Sequence, residues 1–112
     1  MKVIEYAAMP NGTEIVLEDW TENNSSEYPN LYGYAIGAFP IAKNTGRYVK
    51  SGEKFRLDIS MNPYTGYTNE MVLEDFKALK SGIKCLENLS ERYHDGDKAK
   101  YYMGILDIEP EY

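Results

Sequence analysis

The sequence predicts an α+β domain: a mostly antiparallel sheet of four to six strands with one long amphipathic helix packed across one face. Three observations carry this expectation. Phe55, Leu57, Ile59 and Met61 alternate with Lys54, Arg56, Asp58 and Ser60, a period of two that leaves one apolar and one wet strand face. Val72, Phe76, Leu79, Ile83, Leu86 and Tyr93 recur at helical spacing and make one apolar stripe over about six turns. Strand-like segments precede that helix and one follows it, the order of a sheet with a helix laid across it. At 112 residues the chain is long enough for one core and too short for two, so residues 1–112 read as a single domain.

The elements follow in order. Residues 1–8 read as a first strand, with Ile4, Tyr6 and Ala8 alternating against Lys2 and Glu5, and Pro10-Asn11-Gly12 turns it into a hairpin. Ile15, Val16 and Leu17 form a short second strand that runs out at Glu18-Asp19-Trp20. Residues 21–30 (TENNSSEYPN) lack hydrophobic periodicity and are expected to be a mobile surface loop. Residues 31–42 (LYGYAIGAFPIA) are apolar on both parities, which suits a strand buried on both faces or bulged at Gly33 or Gly37. Turn signals at Asn44-Thr45-Gly46 and Ser51-Gly52 then lead into the alternating strand.

Asn62-Pro63-Tyr64-Thr65-Gly66 ends that strand, and Thr68 or Asn69 can cap the helix, whose first turns carry Glu70 and Glu74, the sign that the helix dipole favours. Asp95-Gly96-Asp97 reads as its stop. Residues 98–108 (KAKYYMGILDI) are expected to form a last strand inserted beside an earlier one, and 109–112 a frayed tail.

Composition bounds the function classes. A hydrophobic fraction of 43% with 27% charged residues is that of a folded globular chain. A net charge of −6 argues against general affinity for the nucleic-acid backbone. No stretch approaches a membrane span, the first twelve residues (MKVIEYAAMPNG) lack a signal-peptide core, and the lone Cys85 cannot form an intrachain disulfide, so a cytoplasmic location is expected.

No motif for catalysis, cofactor or metal emerges. Cys85 and His94, the only cysteine and histidine, lie nine residues apart on the expected helix, about 2.5 turns and 13 Å along its axis, so they make no local dyad. The carboxylate groupings Glu18 with Asp19, Glu74 with Asp75, and Asp107, Glu109 and Glu111 lack the loop spacing of a calcium site and read as solvated faces. Eleven tyrosines suit half-buried strands, where the ring packs and the hydroxyl reaches water or a partner; protein interfaces and base stacking are the alternatives.

Charge is segmented along the chain. Residues 1–42 hold six acidic residues and one basic, whereas 43–56 hold five basic and one acidic. The two segments can partly neutralise one another, or each can face a partner. An acidic, tyrosine-bearing surface of Glu14, Glu18, Asp19, Trp20, Glu22, Glu27, Tyr28, Tyr32 and Tyr34 points to a non-enzymatic protein-interaction domain that docks a basic partner, such as a nucleic-acid-binding protein. Small size, acidity and the lack of a catalytic motif resemble, in style and in no residue motif, the inhibitors carried by phages and mobile elements, including anti-CRISPR and antirestriction proteins. The alternative is a nucleic-acid module using the basic hairpin of Lys43, Arg47, Tyr48, Lys50, Lys54 and Arg56. An enzyme whose site assembles from distant residues is a third reading, and a sheet edge or the charged helix leaves a homodimer open.

Overall fold

A computed structural model describes residues 1–40, 55–105 and 108. Four strands, β1 (Lys2–Ala8), β2 (Glu14–Asp19), β3 (Tyr34–Phe39) and β4 (Leu57–Ser60), form an antiparallel sheet in the order β1-β2-β3-β4. The helix α1 (Asn69–Ser81) crosses one face, and a 3₁₀ helix (Leu86–Arg92) and a second helix, α2 (Gly96–Ile105), follow. The end of the expected third strand at 41–42, the turns and basic hairpin at 43–54, and the tail at 109–112 lie outside the described residues.

Local chemistry explains the first hairpin. Gly12, at φ +93°, donates its N–H to the Met9 carbonyl at 2.8 Å, and the Asn11 side chain accepts from the Thr13 N–H. The parity of β1 is the reverse of the expected one. Ala7 lies opposite Ile15 and points to the helix side, whereas Tyr6, opposite Val16, is 75% exposed and Ile4 is exposed too. A register shift between Val3 and Glu5 brings Glu5 to the helix side, where Lys80 of α1 donates to its carboxylate at 2.6 Å.

Strands β2 and β3 are central and buried on both faces, and β4 alternates as read, with Leu57 and Ile59 buried and Asp58 and Ser60 partly exposed. Ile15, Leu17, Ile36, Ala38, Leu57 and Ile59 meet Val72, Phe76 and Leu79 of α1 in one core cluster. Thr68 caps α1 by accepting the Met71 N–H, with Glu70 in the first turn.

The expected six-turn helix is shorter. Gly82 takes the left-handed conformation at φ +84° and its N–H closes on the Leu79 carbonyl, which ends α1 at Ser81. A Cβ there would lie 2.9 Å from Pro10, so the helix end abuts the first hairpin turn. Ile83, expected in the buried stripe, is 80% exposed. Leu86, Leu89 and Tyr93 do reach the core, but from the 3₁₀ helix and the extended residue after it. Tyr93 bridges Ile59 and the His94 N–H donates to the Asp58 carbonyl at 2.7 Å, so this segment occupies the edge of β4.

Of the expected strand over residues 98–108, residues 98–105 are helical instead. With the β4 edge taken, the segment coils as α2, placing Ala99 and Met103 one turn apart against the core, and Ile108 is buried beyond it. Gly96, expected to stop a helix, instead starts one.

One carboxylate expected on a solvated face is inside. Asp75 is buried, while its neighbour Glu74 is exposed, since adjacent helical residues point different ways. The hydroxyl of Tyr67, itself buried, donates to Asp75 Oδ2 at 2.6 Å, Lys84 donates to Oδ1 at 2.7 Å, and the Arg92 guanidinium lies 4.5 Å from the Tyr67 ring centroid. The network ties the turn before α1 to both segments after it.

Burial, reinforced by the bond to Asp75, pushes the Tyr67 phenol above the ordinary tyrosine value of 10.0. Replacing Tyr67 by Phe removes the hydroxyl and is expected to cost about 1–3 kcal/mol at neutral pH. The folded phenol holds its proton where the unfolded one has lost it, so the hydroxyl's contribution is complete below about pH 10 and declines above it. Urea midpoints of the wild type and Tyr67→Phe should therefore converge as pH rises past that value; a constant gap would contradict the assignment.

Candidate functional site

The sheet face turned away from α1 carries the second buried carboxylate. Register places Val3, Glu18, Ala35 and Ser60 in one row across the four strands, and Tyr6, Val16, Gly37 and Asp58 in the next. Glu18 is only 3% exposed on this face. A buried carboxylate needs charge-assisted hydrogen bonds. Arg56 supplies one through Nη2 to Glu18 Oε1 at 2.7 Å and a second through Nε to Asp58 Oδ1 at 2.8 Å, while the Trp20 indole N–H reaches Glu18 Oε1 at 3.2 Å.

Arg56 reaches Glu18 because Gly37 lies between them. A Cβ at Gly37 would sit 2.7 Å from the guanidinium carbon, so only glycine lets the side chain lie flat across β3. The Phe39 ring centroid is 5.5 Å from that carbon and backs it. Burial would lower the Arg56 pKa, but the hydrogen bonds and charges of Glu18 and Asp58 outweigh it and raise it, so the guanidinium stays charged.

Beside this pair lies an open cleft of about 450 Å³. It is lined by the small residues Gly33, Ala35 and Ser60, by Glu18, Trp20, Leu31 and Tyr32, by Arg56, Asp58, Met61 and His94, and by Met1, whose N-terminal ammonium pairs with Glu22. Gly33 is required: a Cβ there would meet Asn69 Oδ1 at 2.3 Å, and that oxygen accepts the Tyr34 N–H, joining the start of α1 to β3.

Residues 21–30, read from the sequence as a mobile surface loop, lie in a segment held at its ends. The Trp20 N–H donates to the Gly33 carbonyl, a 3₁₀ turn spans Thr21–Asn23, and the Asn24 side chain pairs with both backbone groups of Tyr32 at 2.6 and 2.9 Å. Asp19 accepts from the Thr21 hydroxyl and N–H, and these bonds, the hydroxyl's first, hold its carboxyl below the usual range.

The acidic surface expected from sequence is thus divided. Glu18 is buried and paired, Asp19 supports the turn, and Tyr34 packs on the helix side of the sheet. Glu14 lies at the opposite end of β2, about 17 Å away at strand spacing. Trp20 and Tyr32 line the cleft, and Glu22, Glu27 and Tyr28 are exposed on the loop above it. Of the expected basic patch, Lys43, Arg47, Tyr48, Lys50 and Lys54 lie outside the described residues, and Arg56 turns to Glu18 and Asp58. Sequence reasoning missed Asp58, Ser60 and His94 as lining residues, although Arg56, Asp58 and Ser60 share the wet parity of the alternating strand. Cys85 sits at the start of the 3₁₀ helix with its Sγ 3.2 Å from Asn88 Oδ1, so the helical ruler once laid between it and His94 does not apply. Among the described residues no three His, Cys, Asp or Glu side chains gather as a metal ligand set would require.

Alanine in an extended strand ordinarily gains about 0.5–1 kcal/mol over glycine. Gly37→Ala is expected to do the reverse and lose about 1–2 kcal/mol in urea unfolding, because Arg56 must leave its seat. In an Arg56→Ala background the same substitution should be neutral or stabilising; a loss of equal size in both backgrounds would refute the seating. Comparison with protein-family models, curated proteins and solved structures finds no match to this chain.

Proposed function

We propose that this chain is a small acidic interaction domain, without catalytic activity of its own, whose docking surface is the sheet end formed by Trp20, the loop after it and Tyr32. Its partner is a protein with a basic surface of the kind that nucleic-acid-binding proteins present, and blocking such a protein, as phage and mobile-element inhibitors do, is the biological role that fits. One observation carries the reading: Glu22, Glu27, Tyr28 and Tyr32 are exposed on a segment whose ends are tied to the sheet. A surface ordered before binding loses less conformational entropy on association, and tryptophan and tyrosine are the side chains that anchor protein interfaces. No described helix is long and apolar enough to cross a membrane, and a free Cys85 suits a reducing cytoplasm.

The test uses two exposed side chains, of which Glu22 pairs with the N-terminal ammonium. Affinity capture from the native host's lysate with the wild type and a Glu22→Lys/Glu27→Lys variant as baits should recover a basic nucleic-acid-binding protein on the wild type only. Equal recovery of the same proteins by both baits would overturn the proposal.

A further inference from the structure

We infer that the cleft is a socket for one cationic side chain, a lysine ammonium or an arginine guanidinium, presented by the partner. The inference rests on the docking surface proposed above and names the chemistry at its centre. Two carboxylates, Glu18 and Asp58, face one guanidinium, and the N-terminal ammonium of Met1 at the same cleft is already paired with Glu22, so the Arg56 cluster keeps a negative surplus. Both hydrogen bonds to Glu18 end on Oε1, and Oε2 receives none among the described residues. The Glu18 side chain is 4% exposed yet lines the cleft, so its charge is poorly screened by bulk water and acts on whatever enters there.

The remaining walls favour the same occupant. The Trp20 indole is positioned by its own bond to Glu18, and Tyr32 stands at the mouth, the two ring types that best attract a cation. Leu31 and Met61 give the apolar contact that the methylene stem of lysine or arginine seeks. The volume and the small lining residues Gly33, Ala35 and Ser60 leave room for a long side chain. An anion would meet the two carboxylates and an Arg56 whose Nε and Nη2 already donate to them.

Trp20 is the one tryptophan of the chain, so its fluorescence reports on the cleft directly. Titration with Nα-acetyl-arginine amide and Nα-acetyl-lysine amide at constant ionic strength should give a saturable change, with inorganic phosphate giving none. Asp58→Asn, at a side chain 41% exposed, should weaken the cation response about three- to fivefold. Glu18→Gln should abolish it, and where that variant fails to fold, Asp58→Asn alone decides. A linear response to both cations, saturation by phosphate instead, or an unchanged response in Asp58→Asn would each overturn the socket. The probes are read without the partner, so failure here leaves the Glu22/Glu27 capture result standing, and failure of the capture leaves this titration standing.

Discussion

A carboxylate buried on the outer face of a thin sheet sets the terms for everything around it. Glu18 has little contact with water, and an unpaired charge there would cost more than a small domain can spare. Its partner comes from β4, two strands away, across a position where any side chain would be in the way. The register of β2, β3 and β4, the glycine at 37 and the seat of Arg56 are therefore one constraint seen from three strands. A one-residue slip of β4 would send Arg56 to the helix side and leave Glu18 alone.

The helix side repeats the device with different parts. There Asp75 is satisfied by Tyr67 and Lys84, and the bond network spans the segments on both sides of α1. In both places an acidic doublet is split: Glu18 is buried while Asp19 supports a turn, and Asp75 is buried while Glu74 meets water. The acidic coat implied by the net charge of −6 is thus partly an internal framework, and on the proposed function two of its exposed members, Glu22 and Glu27, face the partner.

Local signals were legible and non-local ones were not. The first hairpin turn, the capped start of α1 and the alternation of β4 each depend on neighbours within a few residues, and each appears where the pattern put it. The helix end was misread because Ile83, Leu86 and Tyr93 continue the apolar spacing past Gly82, and only the contact with Pro10 shows why the chain turns there. Residues 98–108 alternate well enough for a strand, but Tyr93 already bridges the edge of β4, which the sequence pattern does not announce. The parity of β1 depends on a register shift that no local pattern announces. At the site, Glu18, Trp20, Tyr32 and Arg56 were all singled out, yet Arg56 was assigned to an opposing basic patch. That two oppositely charged segments meet in one ion pair is a property of sheet register, which spacing along the chain does not encode.

The most direct measurement is a double-mutant cycle between Glu18→Gln and Arg56→Met, read by urea unfolding with Trp20 fluorescence as the second probe. Because the Arg56 side chain is 36% exposed, each single change should cost about 1–3 kcal/mol, below the full penalty of a dry pair. The double variant should cost less than the two together by about 1–2 kcal/mol, with Trp20 emission shifted alike in all three variants. Additive losses, or a Trp20 signal indifferent to Arg56, would show that the pair does not organise this face of the sheet.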